Sequence, residues 1–572
     1  MQTLLDFAAP AVGDLSLRCA FGAPRQELVA RSLDQVRPVL EAVQAQARQG
    51  RWCVGYLRYE AAPAFDPALA VHPADGPLAW FGVHDAPQPW PEAEGQAQAQ
   101  WDQGLSRSAF DQGMAAIHRA IADGQLYQLN YTAPLLGRLQ GSPRALFQAL
   151  RRAQPGGYAA FIDSGEEQLL SVSPELFFDW DGARLLARPM KGTAPRGATP
   201  EQDAALAERL RSSAKERAEN VMIVDLLRND LSRLALPHTV RVPELFRLEA
   251  LPSVWQMTSD VVARTRPGTT LADVFAALFP CGSVTGAPKV QAMRLIRELE
   301  PEPRGVYCGV VGVVRPGGAA RFNVAIRTVT ARGGQLRCGI GSGITADATA
   351  EGEWQEWRHK RAFLDRASQP FELLETLALE DGVPRDAAAH LARMARAAAH
   401  FGYPWDEASL RQALDALARA HPEGLWRLRL LLDARGGVQA QAYAMQATLQ
   451  PVRLKLADRP LEQADSEFVR FKTTRRAHYE AFEPTMPGWF DTLLWNPRGE
   501  LTECTRGNIA LNIDGRWLTP ALEAGLLDGV GRQRWLREGR VAEALLRVED
   551  LGRASGLAFF NSLRGWLAAE LC

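Results

Sequence analysis

The pattern of apolar and polar positions predicts alternating helices and strands over most of the chain. Apolar residues three or four positions apart predict helices over 108–123, 200–234, 287–299 and 353–367. Runs rich in β-branched and aromatic residues predict strands at GYAAFID, ELFFDW, VYCGVVGVV and RFNVAIRTVT. Many of these strands lie close together in the sequence and are joined by glycine-rich turns. This arrangement favours an antiparallel α+β fold over a regular βαβ array.

The pattern also predicts two domains. The 572 residues exceed the roughly 250–300 residues that one hydrophobic core usually serves. After the helix over 353–367, the segment SQPFELLETLALEDGVPRD restarts with a strand and a turn. We therefore predict domains over 1–368 and 369–572, the second smaller and of mixed α/β structure. A stretch rich in proline, glutamine and alanine, 85–104, is predicted to be a loop or linker.

Composition narrows the function classes. The formal net charge is −1, which gives no electrostatic footprint for nucleic acid or for an anionic membrane surface. No run approaches the roughly 18 apolar residues of a membrane span, and the first residues lack the pattern of a signal peptide. The seven cysteines are scattered without a CxxC pair, as is typical of free thiols. We expect a cytoplasmic protein that binds neither nucleic acid nor membrane.

Two pairs of glutamates are candidate metal ligands. Glu216 and Glu219 are three positions apart on a predicted helix, and EGEWQEWRHK repeats the spacing with Glu353 and Glu356. Residues at this spacing share one helix face. Carboxylates are the hard oxygen ligands that Mg²⁺ accepts, especially when a substrate carboxylate adds further oxygens. Taken alone, each pair is also consistent with a solvated helix face.

A series of motifs supplies the context for these pairs. In chain order they are IADGQLYQLNYT, SVSPELFF, RPMKGTAPRG, KERAENVMIVDLLRNDLSR, LFPCGSVTGAPKVQAMRLIRELEP, RGVYCGVVG, NVAIRTV, IGSGI and the final ExxE. In these motifs and their order, the first domain resembles the chorismate-binding enzymes, which include anthranilate, isochorismate, salicylate and aminodeoxychorismate synthases. The resemblance covers some 250 residues and implies that the four glutamates surround a Mg²⁺ holding the ring carboxylate of chorismate.

The same resemblance implies a set of substrate contacts. Tyr307 and Arg327 match positions that bind the enolpyruvyl carboxylate, an anion suited to the arginine fork. Gly341 and Gly343 would let backbone N–H groups approach that carboxylate, and both also fit a tight turn. The full set of residues implied at the substrate is Gln128, Thr193, Tyr307, Arg327, Gly341, Gly343 and Lys360.

Three positions separate the reactions of this family. The resemblance implies that Glu175 is the general acid that expels the C4 hydroxyl of chorismate. Relatives that add water at C2 have a lysine base at the position of Gln128, so isochorismate chemistry is disfavoured here. Anthranilate synthases have alanine at the position of Lys191. Aminodeoxychorismate synthases resemble this chain there, and their lysine attacks C2 before ammonia attacks C4. Lys191 could instead bind a substrate carboxylate.

The nitrogen source is expected to be a separate protein. The chain has no GxCxGxQ-type nucleophile motif with a later His-Glu pair, as a glutaminase module would have. We therefore expect ammonia to come from a glutamine amidotransferase subunit, with free ammonia as a substitute in vitro.

The second domain contains four further motifs, HLARMARAAAHFG, FVRFKTTRRAHYEAF, GELTECTRGNIALNIDGRWLTP and GLLDGVGRQRWL. In these motifs it resembles the fold-type IV pyridoxal-phosphate enzymes, which include branched-chain and D-amino-acid transaminases and aminodeoxychorismate lyase. The resemblance implies that Lys472, at the end of a strand-like run, carries the cofactor and that Glu503 keeps its pyridine nitrogen protonated. Residues implied at the cofactor phosphate are Arg393, Asn508, Gly529 and Val530. Gly531 departs from the threonine common in the transaminases.

Together the two resemblances imply two consecutive reactions. Chorismate and ammonia would give 4-amino-4-deoxychorismate, and the second domain would then release pyruvate and form 4-aminobenzoate, a step of folate synthesis. Two alternatives stay open: an anthranilate-type synthase fused to a class IV transaminase, and a second domain without catalytic activity. We also expect homodimers that pair through the pyridoxal-phosphate domain.

Overall fold

The chain forms two compact units, Met1–Gln369 and Pro370–Cys572. The computed structural model describes residues 2–10, 14–91, 95–197, 200–250, 254–484 and 488–572. Within these ranges, no helix is both long enough and apolar enough to cross a membrane.

The first unit contains two large antiparallel sheets. Its strands are β1 Thr3–Phe7, β2 Leu17–Phe21, β3 Gln26–Ala30, β4 Trp52–Leu57, β5 Ala79–His84, β6 Ala97–Trp101, β7 Gln128–Gly141, β8 Tyr158–Asp163, β9 Gln168–Ser173, β10 Leu176–Trp180, β11 Arg184–Arg188, β12 Met190–Pro195, β13 Arg241–Ala250, β14 Val254–Arg264, β15 Gly286–Ala287, β16 Val310–Val314, β17 Ala320–Val324, β18 Thr328–Arg332 and β19 Gln335–Ile344. One sheet has the order β15-β7-β19-β18-β9-β8-β1-β2, with β6 on β7. The other has the order β12-β14-β11-β10-β17-β16-β4-β5-β3, with β13 on β14.

Helices cover the outer faces of these two sheets. They are α1 Leu33–Arg48, α2 Arg107–Ala122, α3 Pro143–Ala153, α4 Pro200–Ser212, α5 Ala214–Ser232, α6 Leu271–Leu278, α7 Lys289–Leu299 and α8 Ala350–Ala367. Strand β16, VVGVV, illustrates the layering, because successive side chains of a strand point to opposite faces. Val310 and Val314 pack in the core beneath α1, α5 and α6, whereas Val311 and Val313 pack between the two sheets. Both faces are covered, so the strand is apolar throughout.

The helix predicted over 200–234 is wrong as a single element. The structure contains two helices there, α4 and α5, which are separated at Ser213. Ser213 has extended backbone angles, and its side-chain oxygen accepts the N–H of Glu216, as an N-cap residue does. The residues on both sides of Ser213 strongly favour a helix, so the periodicity of apolar positions does not reveal the break.

Three other predicted boundaries also differ. The run RFNVAIRTVT forms two strands, β17 and β18, because the chain turns at Arg327, whose φ is 48°. In VYCGVVGVV only Val310–Val314 is a strand. The stretch 85–104 is not all loop, since Ala97–Trp101 pairs with β7 at the sheet edge.

The second unit contains a four-stranded antiparallel sheet and an eight-stranded mixed sheet. Its elements are β20 Leu373–Glu380, β21 Val383–Pro384, α9 Ala387–Phe401, α10 Glu407–Ala420, β22 Leu425–Leu432, β23 Val438–Ala444, β24 Val452–Leu456, α11 Glu467–Arg470, α12 Ala477–Glu480, β25 Asp491–Trp495, β26 Leu501–Cys504, β27 Asn508–Ile513, β28 Arg516–Pro520, α13 Val530–Arg537, β29 Ala542–Ala544, β30 Gly556–Asn561 and β31 Gly565–Leu571. The strand orders are β21-β20-β22-β23 and β26-β25-β24-β31-β30-β27-β28-β29. Strand β24 pairs in parallel with β25 and β31. The expected α+β class is therefore found in the first unit, and mixed pairing in the second.

The prediction of a strand that ends at Lys472 is wrong. Residues Glu467–Arg470 form the short helix α11, which Ser466 caps by accepting the N–H of Phe468. Lys472 follows in an extended segment that borders β20, where its carbonyl accepts the N–H of Leu374 at 3.0 Å. The alternation of FVRF therefore reflects packing of Val469 in a small core rather than sheet pairing.

Candidate active sites

In the first unit, Gly343 brings two predicted site residues together. It lies on β19 opposite Asn130 of the antiparallel neighbour β7. A Cβ added at Gly343 would lie 2.2 Å from Nε2 of Gln128 and 2.8 Å from Nζ of Lys191. The amide of Gln128 and the amine of Lys191 therefore both lie over the bare backbone of Gly343. Gln128 is buried, and its Oε1 has no hydrogen-bond partner among the described residues, so this oxygen is available to a ligand.

The predicted general acid is buried nearby. Glu175 lies in the turn between β9 and β10 and is 3% exposed. Burial raises the pKa of Glu175 to about 7, against opposing effects that begin with a hydrogen bond from Ser283 and the charge of Lys191. Ser283 Oγ donates to Oε1 of Glu175 at 2.7 Å. A carboxyl group with such a pKa holds a proton that it can deliver near neutral pH.

Arg327 is a half-buried cation. Among the described residues no carboxylate forms an ion pair with it, and its guanidinium carbon lies 5.9 Å from the ring centre of Phe363. Burial and the like charge of Arg366 lower the pKa of Arg327 to about 10. An anion would relieve this cost, since buried charges are normally paired. Tyr307 is buried, and its ring packs on the backbone of Gly339, where a Cβ would lie 2.1 Å from a ring carbon.

The two glutamate pairs lie within electrostatic reach of one another. Burial raises the pKa of Glu216, Glu219 and Glu353, and the neighbouring glutamates add to this effect. Two of the pairs' members share a cation: Lys215 Nζ lies 3.9 Å from Glu219 and 4.0 Å from Glu353. Within the described ranges, no three acidic, histidine or cysteine side chains are gathered closely enough to hold a metal ion.

One serine and one lysine side chain hold the second glutamate pair. Ser342 Oγ donates to Glu353 at 2.5 Å, and Lys360 Nζ lies 2.7 Å from Glu356. Burial would raise the pKa of Glu356, but the charge of Lys360 lowers it on balance. Lys360 also donates to the carbonyl of Gly341 at 2.9 Å. The helix α8 is thereby tied to β19 at the site.

The two remaining predicted substrate contacts differ in exposure. Gly341 is enclosed, because a Cβ there would lie 2.3 Å from the carbonyl oxygen of Tyr131. Thr193 is exposed on β12 opposite Gln256. Its contact with substrate stays a prediction.

In the second unit, Lys472 has the properties of a nucleophilic amine. Burial and the positive charges of Arg476 and Arg393 lower the pKa of Lys472 to about 7. A sizeable fraction of the side chain is therefore uncharged at neutral pH. This is the state in which a lysine attacks a carbonyl group.

Arg393 is oriented by a residue that the sequence did not single out. Glu375 of β20 accepts from Nε and from Nη2 of Arg393 at 2.8 and 2.6 Å. The same carboxylate contacts Nδ1 of His390 at 2.6 Å. Among the described residues, Nη1 of Arg393 has one long contact, 3.4 Å to the carbonyl oxygen of Asp528. The fork is fixed on one side and leaves donors on the other.

Glu503 of β26 is buried beside Lys472. Tyr479 Oη donates to its Oε1 at 2.6 Å, and the N–H of Leu527 donates to the same oxygen at 3.0 Å. Burial raises the pKa of Glu503 to about 7, and the hydrogen bond from Tyr479 opposes this shift most strongly.

The N-terminus of α13 forms a cradle of backbone groups near these residues. The N–H groups of the first turn have no partners within a helix, and Gly529 is the N-cap. Asn508 Nδ2 donates to the carbonyl of Leu527 at 3.0 Å. A Cβ at Gly529 would lie 2.2 Å from Oδ1 of Asn508. Val530 is buried. A Cβ at Gly531 would lie 2.8 Å from the carbonyl carbon of Asn561, which explains why threonine does not fit here.

Sequence reasoning missed the residues that orient the predicted ones. Ser283 holds Glu175, Glu375 holds Arg393, and Tyr479 holds Glu503. Ser283 and Tyr479 stand within quoted motifs, so motif membership was a usable signal. No sequence signal distinguished Glu375, because an alternating strand does not reveal which polar residue faces inward.

Comparison with known proteins gives a consistent result for both units. A family model for the chorismate binding enzymes matches residues 83–366, and one for amino-transferase class IV matches residues 372–572. Aminodeoxychorismate synthase component 1 of Salmonella typhimurium is 37% identical over 304 residues, 53% of this chain and 66% of that protein. Anthranilate synthase component 1 of Aquifex aeolicus is 38% identical over 267 residues, 47% of this chain and 54% of that protein.

The chain spans less than two thirds of the length of the first curated relatives that it matches. Among solved structures, anthranilate synthase component I from Streptococcus pneumoniae superposes with a TM-score of 0.54 and 23% identity. That alignment covers 64% of this chain and 92% of the other. The likeness concerns the fold alone.

Proposed function

Because residues 83–366 belong to the chorismate binding enzymes and residues 372–572 to the class IV amino-transferases, we propose that this chain makes 4-aminobenzoate in two steps. The first unit aminates chorismate at C4, and the second releases pyruvate from the product. Ammonia is supplied by a separate glutamine amidotransferase. The observation that carries the proposal is the amine of Lys191 beside Gln128 and Gly343.

The first reaction uses Glu175 and Lys191. Glu175 gives its proton to the C4 hydroxyl of chorismate, which leaves as water while the nitrogen lone pair of Lys191 forms a bond to C2. Ammonia then forms a bond to C4, the bond between Lys191 and C2 breaks, and one ammonia proton returns to Glu175. The balance is chorismate plus ammonia to 4-amino-4-deoxychorismate plus water. Arg327 pairs with a substrate carboxylate, which satisfies its unpaired charge.

The four glutamates fit a Mg²⁺ ion by their chemistry. Burial raises the pKa of three of them, and the negative charges of the neighbouring glutamates add to the rise. The ammonium of Lys215 occupies the space between the pairs. A metal ion would take over this charge from Lys215, and it would stabilise the substrate carboxylate and the departing hydroxyl. The side chains must close on the ion, since they are not gathered without it.

Binding of Mg²⁺ can be measured without turnover. We expect Mg²⁺ with chorismate to raise the thermal unfolding midpoint of the chain, because a ligand that binds only the folded state stabilises it. Glu219→Gln removes a carboxylate and should abolish most of this rise. Glu208→Gln is a matched control, because Glu208 is exposed on α4 and pairs only with Arg211. An equal rise in Glu219→Gln would contradict the metal assignment.

The second unit fits pyridoxal phosphate. Lys472 supplies an amine with a pKa near 7, Glu503 a carboxylate for the ring nitrogen, and Arg393 with the first turn of α13 donors for the phosphate. When bound, the cofactor supplies an electron sink. Lys472 moves the proton from the substrate ring, and Glu503 holds the proton on the cofactor nitrogen.

Replacement of Lys191 tests the first reaction. Purified wild type with chorismate, Mg²⁺ and ammonia should form 4-amino-4-deoxychorismate. Lys191→Ala should form this product more slowly by a factor of about 100 or more, as expected for a lost nucleophile. Lys455→Ala is the control, because Lys455 is an exposed lysine on β24. An unchanged rate in Lys191→Ala would refute the covalent role. Formation of anthranilate by the wild type, in place of 4-amino-4-deoxychorismate, would refute the assigned reaction.

A further inference from the structure

The hydrogen bonds of Glu503 all fall on one of its oxygens. Tyr479 Oη and the N–H of Leu527 both donate to Oε1, at 2.6 and 3.0 Å. Within the part of the chain that the structure describes, no hydrogen bond reaches Oε2. Glu503 is 3% exposed as a whole, so the second oxygen has little contact with solvent. One oxygen is saturated, and the other is left for a further partner.

Tyr479 is itself held rigidly. It lies on α12, a few residues after Lys472, and its ring is buried in a small core with Leu461, Val469 and Leu494. The guanidinium of Arg476 lies 4.8 Å from the ring centre and also donates to the carbonyl of Thr505 at 2.5 Å. The hydroxyl group is therefore fixed before any ligand binds.

The hydrogen bond also acts on the charge of Glu503. Burial raises the pKa of this carboxyl to about 7, and donation from Tyr479 lowers it towards the charged form. Burial and the charge of Glu503 raise the pKa of Tyr479 well above 10, so the hydroxyl stays protonated and donates. The direction of the hydrogen bond is thus determined: the phenol donates and the carboxylate accepts.

We infer that Tyr479 is a positioning residue for the cofactor: it fixes Glu503 by its Oε1 so that the free Oε2 meets the ring nitrogen of pyridoxal phosphate. The inference rests on the proposed function of the second unit. Tyr479 touches neither substrate nor reacting atoms in this account. It acts by orienting a carboxylate and keeping it ionised, as outer-shell partners orient ligating groups at other sites.

The test compares full-length wild type with Tyr479→Phe, which removes only the hydroxyl group. The chain is titrated with pyridoxal phosphate, and the visible absorption of the bound cofactor is followed against pH. A hydrogen bond to a charged group is worth enough for an affinity loss of about ten-fold or more. We expect that loss, together with a rise of about one unit in the pH midpoint of the absorption change. Tyr403→Phe is the matched control, since its hydroxyl donates to the carbonyl of Phe371 at 2.8 Å in another core.

Further variants separate the outcomes. In Glu503→Gln, the additional change Tyr479→Phe should have no further effect on affinity or midpoint, because the two act through one interaction. Replacement of Tyr479 by 3-fluorotyrosine keeps the ring and makes the hydroxyl a stronger donor, so the midpoint should fall. A wild type that takes up no pyridoxal phosphate defeats the proposed function. A wild type that binds it, with Tyr479→Phe titrating identically, overturns this inference and leaves the proposed function intact.

Discussion

Gly343 is the residue on which the first site depends most for space. The sequence predicted a glycine that lets backbone groups approach a carboxylate. The structure adds a different reason, because the absent side chain leaves room for the ends of Gln128 and Lys191 over the same backbone position. The two side chains and the glycine belong to three separate strands, and only folding brings them close together.

We therefore expect Gly343→Ala to reduce the amination of chorismate strongly. The added methyl group would lie within 2.8 Å of the amine of Lys191 and must displace it or Gln128. A displacement of about 1 Å can cost about 100-fold in rate. The measurement is the steady-state rate of each of the two reactions, the amination of chorismate and the release of pyruvate. Gly22→Ala is the control, because its nearest neighbour would be 3.4 Å away. Equal rates in the two variants would contradict the account.

The protonation of Glu175 gives a pH dependence with a definite sign. Burial raises its pKa from the ordinary value near 4.5 to about 7, so the protonated acid is present below pH 7 and is lost as the pH rises through that value. We expect the amination rate, measured at constant free ammonia, to fall above pH 7 by about ten-fold per unit. Glu175→Gln should be slow and lack this decline. A wild-type rate that rises steadily to pH 9 would argue against Glu175 as the acid.

Much of the site could be predicted residue by residue, and the remainder could not for a physical reason. Motifs predicted the groups that we propose to contact substrate or cofactor. Their orientation depends on long-range partners such as Ser283 for Glu175, which lie more than a hundred residues apart. Such pairs follow from sheet pairing and register, and a single sequence does not encode these in a readable pattern.

At the scale of elements, the break between α4 and α5 is the clearest example of a feature that periodicity missed. Helix propensity is high on both sides of Ser213, and a capping serine is equally acceptable in a helix surface position. The antiparallel α+β class was predictable, because closely spaced strands with glycine turns leave few other arrangements. The division into two strands around Arg327 was not predictable, because this residue adopts a φ of 48° although it is not glycine.

The cap at Ser213 should matter for stability and for the metal site. Its side chain accepts the N–H of Glu216, the first residue of the glutamate pair on α5. We expect Ser213→Ala to lower the free energy of unfolding of the first unit by about 1 kcal/mol. Hydrogen exchange in α5 is the measurement, because it isolates one element. Ser212→Ala is the neighbouring control, since this exposed hydroxyl donates to the carbonyl of Glu208. Equal protection in the two variants would contradict the capping role.

For the whole molecule, the account assigns one amine to each unit. Lys191 serves the first unit and Lys472 the second, in a chain that has only six lysines. The two sites use different chemistry, so a change in one should leave ligand binding in the other intact. Lys191→Ala should still take up pyridoxal phosphate, and Lys472→Ala should still consume chorismate.

The most direct test of the central claim is the product made by the wild-type chain from chorismate, Mg²⁺, ammonia and pyridoxal phosphate. Chromatography with mass detection separates the three relevant products. The account predicts 4-aminobenzoate together with one equivalent of pyruvate. Anthranilate would contradict the role of Lys191 in selecting C4, and 4-amino-4-deoxychorismate that accumulates without 4-aminobenzoate would contradict the activity assigned to the second unit.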